Sequence, residues 1–553
     1  MNEGEISILI GGRAGEGISS AGQIIAQLLS SLGYRVYMYL DYPSRIKGGH
    51  NFAIIRGADF SVGAVRETVD VLLAMNKETI DLHKKRLSDN GAILYRADTA
   101  NVAEGIGVDM KGILASEHAP PVMGNTALLG AFVRSAGIEW SRAEQVFRHA
   151  IPKEIELNLR VAHRAYEAGT ELLTIPPLIT KRLPVVTGNE AIGIGLIEGE
   201  CLLYCGYPMS PTSNLLHFLA VHANHLGMQV LQPESETAAI LIALGGAYAG
   251  ARTAVGTSGG GFCLMTEALG LAGIAELPVV IVLGQRAGPS TGLATYTAQA
   301  DLQFALGAGQ GEFPRLIAAP GDADEARWWT TTCMDLAWKY QLPAILLADK
   351  ILCEGMYSLD PMEKPTLQVV PLMAGEVEHP YLRYAMTASG ISSLKFPPYK
   401  GEVIRVNSHV HDEDGITTED PQVTRAMADK RAKKLQGLQE EIEKMEPVQV
   451  LGIRDASTAI LCWGSNKGIC AEIGRRLGLR VVQPVVLWPF PESCFARAME
   501  GVERWIGVET NETGQLSRLL RQFGYVPEGV VLKYDGRPFA VEELEGELKG
   551  RVA

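Results

Sequence analysis

The fold of this chain is decided by the stretch 204–261, which contains CGYPMSPTSNLLHFL (205–219), QPESETAAILIALGGAYAGA (232–251) and RTAVGTSGGG (252–261). Each part is read as a strand, a turn and a helix, with hydroxyls, a carboxylate or glycines at the turns. Repeated units of this kind are typical of α/β domains, which place ligands beyond the carboxyl ends of their strands. We therefore expect the chemistry at these three turns.

Two side chains in these turns are candidates for binding or catalysis. Ser210 precedes a predicted helix, where its hydroxyl and the backbone amides suit a small carboxylate, although helix capping alone would explain a hydroxyl there. Glu236 lies in the first turn of a helix that is small and apolar throughout and is predicted to be buried. An acid there complements the helix dipole, but partial desolvation also suits it to share a proton with a heterocycle nitrogen.

Three glycines and an arginine extend this candidate site. The glycines at 259–261 predict a turn that another backbone or a flat ligand can approach closely; a merely tight turn is the alternative. Arg286 follows the apolar strand PVVIVLG, and its guanidinium suits an anionic substrate. Alternatively, Arg286 pairs with an acid of the same chain such as Asp301.

Length, composition and charge exclude several classes of protein. The 553 residues, 47% of them hydrophobic and 20% charged, predict several compact domains, and the net charge of -13 argues against general nucleic-acid binding. The acidic N-terminus differs from a secretory signal and no apolar run is long enough to span a membrane, so a cytoplasmic protein is predicted. The eight cysteines form no C-x-x-C pair, so no iron-sulfur cluster or structural zinc is expected in this chain.

The N-terminal region alternates strands and helices, which predicts a mostly parallel sheet with helices on both faces. Its first turn contains Gly12, Gly15 and Gly17, and backbone amides there could approach an anionic group. The spacing is G-x-x-G-x-G rather than the dinucleotide fingerprint, although Asp41 ends the second strand where a ribose-binding acid would lie. A tight strand-to-helix turn explains the glycines equally well.

A basic loop follows the second strand. It joins Arg45, Lys47 and His50 to two glycines, which suits a phosphate-bearing ligand or an acidic partner surface. A solvated basic loop is the alternative.

Composition shifts predict five segments in the chain. They are an α/β domain at 1–178, a Pro-rich linker at 179–187, a second α/β domain at 188–362, an irregular connector at 363–448 and a third α/β domain at 449–553. The connector contains a charged helix that is predicted to be a solvated arm. It also contains His409, His411 and the acids at 412–414, which favour contacts with backbone or water over a metal ion.

The second domain resembles a known family in the stretches YPMSPTS, QPESETAAI, TSGGGFCLMTEALGLAG, QRAGPSTGLATYTAQADL and GEFPR. These resemble the pyrimidine-binding domain of the 2-oxoacid:ferredoxin oxidoreductases, thiamine diphosphate enzymes that convert a 2-oxoacid and coenzyme A to acyl-CoA and CO2. GGRAGEG and PSRIKGGHNFAIIR resemble the gamma module of that family. WGSNKG, LWPFP and ETNETGQLSRLLR resemble its transketolase C-terminal-like domain. The resemblance implies a fused gamma-alpha subunit built from several doubly wound α/β domains, one of them with the thiamine diphosphate fold.

The resemblance also implies roles for individual residues. Glu236 corresponds to the carboxylate that hydrogen-bonds the aminopyrimidine ring of the cofactor and thereby helps to activate the thiazolium carbon. Arg286 matches the arginine that holds the substrate carboxylate, and Ser210 stands where the family usually has threonine. The remaining implied cofactor contacts are Tyr207 and Pro208 for the thiamine motif and Gly12, Gly15, Gly17 and Arg45 for the gamma module. The chain departs from the family pattern at Gly260, Tyr296 and Gln310, where proline, lysine and histidine are usual or frequent.

A partner subunit is implied by what the sequence lacks. No G-D-G segment for a magnesium diphosphate and no cysteine set for a [4Fe-4S] cluster is present, and the family places both in a separate beta subunit. We therefore expect a chain that is inactive alone and assembles as a dimer of heterodimers, with ferredoxin as electron acceptor. The expected substrate is 2-oxoglutarate. The alternatives are pyruvate, a branched-chain 2-oxoacid, or a non-catalytic scaffold that binds coenzyme A or a nucleotide.

Overall fold

The computed structural model describes residues 4–44, 48–100, 102, 105–360 and 380–552. The strands are β1 (Glu5–Arg13), β2 (Arg35–Asp41), β3 (His50–Ala58), β4 (Val69–Ala74), β5 (Leu87–Arg96), β6 (Ile106–Val108), β7 (Val185–Thr187), β8 (Leu203–Gly206), β9 (Gln229–Leu231), β10 (Thr253–Ser258), β11 (Val279–Gln285), β12 (Leu316–Ala318), β13 (Pro343–Asp349), β14 (Met356–Ser358), β15 (Val448–Gly452), β16 (Thr458–Leu461), β17 (Arg480–Pro484), β18 (Val486–Trp488), β19 (Arg504–Glu509) and β20 (Gly529–Leu532). The helices are α1 (Ile18–Ser31), α2 (Lys77–His83), α3 (Met110–Ser116), α4 (Gly124–Ser135), α5 (Trp140–Ala150), α6 (Ile155–Ala168), α7 (Gly188–Glu198), α8 (Ser213–Leu226), α9 (Glu236–Tyr248), α10 (Gly259–Ile274), α11 (Leu302–Gly307), α12 (Ala323–Tyr340), α13 (Lys350–Glu354), α14 (Pro421–Ile442), α15 (Asn466–Leu477), α16 (Glu492–Ala498), α17 (Gln515–Arg521) and α18 (Val541–Val552).

Residue contacts divide the chain into two compact units. The first unit comprises Met1–Thr187, Glu354–Pro361 and Pro538–Ala553, and the second comprises Gly188–Cys353 and Met362–Arg537. The finer division into five segments stays a prediction. The residue contacts also assign two short segments from later in the chain, Glu354–Pro361 and Pro538–Ala553, to the first unit.

The first unit contains an eight-stranded mixed sheet in the order β6-β5-β4-β1-β3-β2-β14-β7. The half from β6 to β1 is parallel, whereas β1, β3, β2, β14 and β7 pair antiparallel in turn. The expectation of a mostly parallel sheet is therefore wrong for the second half. The reason is the length of the loop 42–49, which joins neighbouring strands and is too short for the crossover that a parallel pair needs.

The core of the first unit lies against α1. The buried face of this helix, which includes Ile25 and Leu29, packs in one apolar cluster with Ile8 and Ile55 of the sheet. The apolar residues of α1 follow the helical period, so the helix forms where the sequence predicts it. Its C-terminal end places the chain to begin β2.

The second unit contains a seven-stranded sheet in the order β18-β12-β13-β11-β10-β8-β9. All its pairs are parallel except the pair of β12 with β18 at one edge. From β8 the chain runs outward to β9 and then returns to the other side of β8 as β10. The strand order therefore reverses between β8 and β10, which is the topological switch point where such sheets bind ligands.

The three strand-turn-helix units predicted for 204–261 are confirmed as β8-α8, β9-α9 and β10-α10. Two details differ from the prediction. The glycines at 259–261 form the first turn of α10 rather than a separate turn. Helix α9 is buried on one face only, and Leu241 and Ile242 on its other face are exposed.

A five-stranded sheet in the order β15-β17-β16-β19-β20 completes the second unit. It is parallel except for the pair of β15 with β17. Leu461 and Trp463 of this region lie in the same apolar cluster as Leu283 and Ile317 of the seven-stranded sheet. The two sheets of the second unit therefore share one core.

Helix α14 differs from the solvated arm that its charges predict. Lys430 and Lys434 are buried, and their Nζ atoms lie 2.8 and 2.7 Å from Oε2 of the buried Glu276. Burial opposes the ionised form of Glu276, but the two lysines prevail and lower the pKa of this carboxyl to about 2. The ion-paired face of α14 thus packs into the second unit, because a buried carboxylate requires cationic partners.

The polar loop at 409–414 makes internal contacts. His411 is buried against the ring of Tyr384, and Arg405 forms an ion pair of 2.7 Å with Asp414. Within the described ranges, no group of three or more histidine, cysteine or acidic side chains could hold a metal ion. None of the described helices is long and apolar enough to cross a membrane.

Candidate functional site

The turns that follow four strands of the second unit carry the predicted site residues. Ser210 follows β8, Glu236 follows β9, the glycines at 259–261 follow β10 and Arg286 follows β11. Strands β8, β10 and β11 are parallel neighbours, so their carboxyl ends share one edge of the sheet. The switch point between β8 and β10 lies at this edge.

Glu236 is buried without serving as a helix cap. Its side chain belongs to a residue that is only 5% exposed, whereas the neighbouring acid Glu234 is exposed. The capping role belongs to Ser235, whose Oγ accepts a hydrogen bond of 3.2 Å from the amide of Ala238. The Glu236 carboxylate has no hydrogen bond to any described residue, so it is available to a donor from outside the chain.

A glycine in α10 makes room for Glu236. A Cβ atom at Gly261 would lie 2.7 Å from both Cγ and Oε1 of Glu236 and 2.2 Å from Oγ1 of Thr257. Distances below about 3.0 Å do not occur for real Cβ atoms, so only glycine allows this approach. The first turn of α10 therefore forms one wall around the carboxylate.

Ser210 and Arg286 lie side by side. Nη1 of Arg286 donates a hydrogen bond of 3.0 Å to the backbone oxygen of Ser210. The hydroxyl of Ser210 does not cap α8, because the N-cap position belongs to Thr212. The buried Asn189 donates from Nδ2 to the oxygen of Pro211 at 2.9 Å and fixes the same turn.

Asp301, the predicted alternative partner of Arg286, lies near enough for the two charges to interact. The two residues, both within the described part of the chain, do not form an ion pair. Burial raises the pKa of Asp301 to about 6, and the charge of Arg286 opposes that shift. Burial likewise lowers the pKa of Arg286, and Asp301 opposes this change. Because only the Ser210 oxygen accepts a hydrogen bond from its guanidinium among the described residues, Arg286 retains donors for an anionic ligand.

Tyr207 and Pro208 lie at the exposed surface of the turn after β8, and Tyr207 is 39% exposed. They share the turn with Ser210. Both are placed to contact a ligand at this edge rather than to fill the core.

The glycines of the first unit have different surroundings. Gly12 is part of β1, and a Cβ there would clash with Glu16, Ile18 and Met75, so close packing explains this residue. Gly15 and Gly17 have φ values of 93° and 72°, and nothing lies within 4 Å of a Cβ at Gly15. Gly17 is the N-cap of α1 and makes no side-chain cap hydrogen bond, while Nδ2 of Asn125 packs against it and would lie 2.4 Å from a Cβ there.

The basic loop of the first unit is described in part. Arg45 and Lys47 lie outside the described residues. His50 Nε2 lies 2.8 Å from His83 Nε2, and burial lowers the pKa of both imidazoles, that of His83 to about 3. The lowered pKa favours the neutral form of His50, which is the first residue of β3.

The residues at the switch point fit the pyrimidine ring of thiamine. Glu236 offers a buried carboxylate without a donor among the described residues, and Gly261 lets the first turn of α10 pack directly against it. A ring nitrogen is a suitable partner for such a carboxylate. When bound, the cofactor would supply a carbon nucleophile for a carbonyl carbon and would accept the electron pair released when the bond next to that carbon breaks.

One feature of this site was not predicted from the sequence. The glycines at 259–261 were expected to let another backbone or a flat ligand come close, but the contact of Gly261 with the side chain of Glu236 was not expected. Glu236 begins a different helix, and local spacing does not reveal such a contact.

Family models match both units of the chain. The model described as "Pyruvate flavodoxin/ferredoxin oxidoreductase, thiamine diP-bdg" matches residues 194–430. The model described as "Pyruvate ferredoxin/flavodoxin oxidoreductase" matches residues 7–168.

Relatives match over the full length. The chain is 30% identical to the 2-oxoacid:ferredoxin oxidoreductase subunit alpha of Saccharolobus solfataricus, over 99% of this chain and 98% of that one. It is 26% identical to the 2-oxoglutarate oxidoreductase subunit KorA of Mycobacterium tuberculosis, over 99% of this chain and 92% of the relative. Among solved structures, it matches the 2-oxoglutarate:ferredoxin oxidoreductase of Magnetococcus marinus, solved with 2-oxoglutarate, coenzyme A and succinyl-CoA bound. That match has a TM-score of 0.87, 26% identity and full coverage of both chains.

Proposed function

The chain belongs to the 2-oxoacid:ferredoxin oxidoreductase family as a subunit of a thiamine-diphosphate-dependent enzyme, and we propose that its substrate is 2-oxoglutarate. In this proposal the enzyme joins the decarboxylated acyl group to coenzyme A and passes the electrons to ferredoxin. The observation that carries the choice of substrate is the full-length match to a structure solved with 2-oxoglutarate and succinyl-CoA bound.

Glu236 is the proposed catalytic carboxylate of this chain. Its burial and its lack of an internal donor support a hydrogen bond to the pyrimidine of the cofactor. In this position the carboxylate can hold or release a proton at the ring, which is how the chain would help to form the nucleophilic carbon.

Ser210 and Arg286 are the proposed grip on the carboxylate of the 2-oxoacid. The hydrogen bond from Arg286 to the Ser210 backbone oxygen leaves further guanidinium donors, and it brings the guanidinium to the residue that carries the hydroxyl. A guanidinium and a hydroxyl together suit a carboxylate that must be held until it leaves as CO2. Tyr207 and Pro208 are proposed to contact the cofactor from the same turn.

Coenzyme A is proposed to contact the gamma-type unit. Gly15 and Gly17 have left-handed conformations and precede the uncapped start of α1, which supports binding of an anionic group there. Gly12 and Arg45 complete the predicted set, although Gly12 is enclosed by packing and Arg45 lies outside the described residues.

A beta subunit is the proposed partner of this chain. The sequence has neither a G-D-G segment nor a clustered cysteine set, so Mg²⁺, the diphosphate and the [4Fe-4S] cluster are assigned to the partner. Exposed Leu241 and Leu264 lie on α9 and α10, the helices that carry Glu236 and Gly261, and an apolar surface there supports a protein interface. The proposed assembly is a dimer of heterodimers in the cytoplasm.

The test is turnover by the complex reconstituted from this chain and its beta subunit. Reduction of a viologen dye is followed with coenzyme A and, in turn, 2-oxoglutarate, pyruvate and a branched-chain 2-oxoacid. We expect the highest kcat/KM with 2-oxoglutarate and no activity from either chain alone. Turnover of pyruvate without turnover of 2-oxoglutarate would overturn the choice of substrate, and activity that survives Glu236→Gln would favour the scaffold alternative.

A further inference from the structure

A second switch point exists in the five-stranded sheet, and it holds a segment of the same chain. In the order β15-β17-β16-β19-β20, the chain runs from β16 to β17 on one side and then to β19 on the other. The crevice between the carboxyl ends of β16 and β19 is where such a sheet would bind a ligand. The side chain of Gln299 occupies it.

The side-chain amide of Gln299 makes three hydrogen bonds in this crevice. Its Nε2 donates 2.7 Å to the backbone oxygen of Trp463, just beyond β16. Its Oε1 accepts 2.8 Å from Nδ2 of Asn466 and 3.1 Å from the backbone amide of Thr510, just beyond β19. Gln299 is 0% exposed. Three hydrogen bonds thus join the primary amide to the edge of a different sheet.

The backbone around Gln299 is held at the same edge. The backbone N–H of Gln299 donates a hydrogen bond of 2.7 Å to the backbone oxygen of Thr510. Oγ1 of Thr510 donates a hydrogen bond of 3.0 Å to Oδ1 of Asn466. Two residues away, the amide of Thr297 donates 3.0 Å to the oxygen of Gly536. We call the contacts of Gln299 with Trp463, Asn466 and Thr510 the amide clasp.

The clasp holds the returning arm of the loop that begins with Arg286. This loop leaves β11 at Gln285, and the amide of Ala287 donates 3.3 Å to the oxygen of Tyr296 on the returning arm. Gln285 Oε1 in turn accepts 3.1 Å from the amide of Asp301. The position of Arg286 is therefore tied through its neighbours to the arm that Gln299 anchors.

We propose that Gln299 is a positioning residue for substrate binding: its amide, seated in the switch-point crevice of the C-terminal sheet, sets the position of the Arg286 loop. The inference rests on the proposed function, because it assigns Arg286 to the 2-oxoacid carboxylate. A crevice that serves a ligand in other sheets of this kind here recognises an amide of its own chain.

The test uses Gln299→Leu in the assembled complex, because leucine keeps the bulk of the side chain and removes the three side-chain hydrogen bonds, while the backbone bond to Thr510 remains. Hydrogen exchange of the segment 286–301 is measured together with KM and kcat for the 2-oxoacid. We expect exchange at least about tenfold faster in that segment, KM raised about tenfold and kcat changed less than about threefold, since a loosened grip weakens ground-state binding. The matched control is Gln436→Leu, which removes the exposed hydrogen bond from Gln436 to Glu440 and should leave all three quantities unchanged.

A milder variant guards against misfolding. Thr510→Val removes only the hydroxyl bond to Asn466 and should give smaller changes in the same direction. Wild-type exchange in 286–301 in both variants would overturn the proposal, as would lost activity with unchanged exchange. Failure of the proposed function would show differently, as absence of 2-oxoacid turnover in the wild-type complex, because loop exchange does not depend on the identity of the substrate.

Discussion

Replacing Gly261 with alanine adds a single methyl group and should displace the carboxylate of Glu236, the proposed catalytic group. The new Cβ would lie 2.2 Å from Thr257 Oγ1 and 2.7 Å from Glu236 Oε1. To reach the shortest distance that Cβ atoms tolerate, about 3.0 Å, Thr257 Oγ1 and the methyl group must separate by about 0.8 Å more. Neither side chain can give way outward, because Thr257 is 0% and Glu236 5% exposed.

The expected loss follows from this displacement. Glu236 Oε1 must move by about 0.3 Å to reach a distance of about 3.0 Å from the new Cβ. A misplacement of about 1 Å costs about 10²-fold in rate, so this smaller shift should lower the rate less, by about fivefold, or about 1 kcal/mol of transition-state stabilisation. Overpacking of the buried site should also reduce the free energy of unfolding by about 1–3 kcal/mol. The assay is 2-oxoacid-dependent reduction of a viologen dye by the reconstituted complex, with the melting temperature measured in parallel.

Gly270→Ala in the same helix is the matched control. A Cβ there would meet Gln310 Oε1 at 3.7 Å, an ordinary contact, so activity should be unchanged and the helix should gain about 0.5–1 kcal/mol. Full activity of Gly261→Ala would refute the argument, because the carboxylate would then function from a displaced position or would not function at all.

Three further substitutions probe the charges of the site. Glu236→Gln should lower kcat by at least about 10²-fold with the complex intact, because an amide cannot exchange a proton with the ring; wild-type kcat would contradict the assignment. Arg286→Lys should raise KM for the 2-oxoacid about 10- to 100-fold, since lysine lacks the planar, forked set of donors of the guanidinium. The control is Arg504→Lys at an exposed site, which should have no effect on KM. Equal KM values in the two variants would exclude Arg286 from binding the 2-oxoacid carboxylate. The pKa of Asp301 is raised from 3.8 to about 6, so its stabilising contribution is complete below about pH 4 and is lost as pH rises through about 6. Asp301→Asn should therefore have the same melting temperature as the wild type near pH 4 and a higher one at pH 8. The gain in free energy of unfolding at pH 8 should be at most about 3 kcal/mol. A variant that is less stable than the wild type at pH 8 would show that the ionised carboxylate is stabilising.

The units of 204–261 were predictable because their signals are local. Apolar runs of strand length, a hydroxyl or carboxylate at each turn and the small residues of α9 and α10 lie next to one another in sequence. The position of Glu236 at a helix start could be read in the same way. The sequence also shows a glycine at position 261. It does not show why a glycine is required there, because the reason is a close contact with Glu236 of a different helix.

The remaining features depend on contacts that are distant in sequence. Alternating charges on α14 predict a solvated surface, and nothing local shows that Lys430 and Lys434 meet Glu276, more than 150 residues earlier. The amide clasp likewise joins Gln299 to residues 164 and 211 positions later. The antiparallel half of the first sheet is a different case. The loop 42–49 between β2 and β3 is too short for a parallel crossover, so its length in the sequence already favours antiparallel pairing of these two strands.

The strand β14 has a consequence for dissecting the protein. It belongs to the first unit, lies between β2 and β7 in the sheet, and is encoded far from both of them, at Met356–Ser358. A fragment that stops at Thr187 would retain β7 without its hydrogen-bonding neighbour and leave the edge of β2 unpaired, which invites association between copies. A soluble version of this unit must therefore carry the later strand, for example through a designed linker, and a gene cut at the apparent boundary would yield an incomplete sheet.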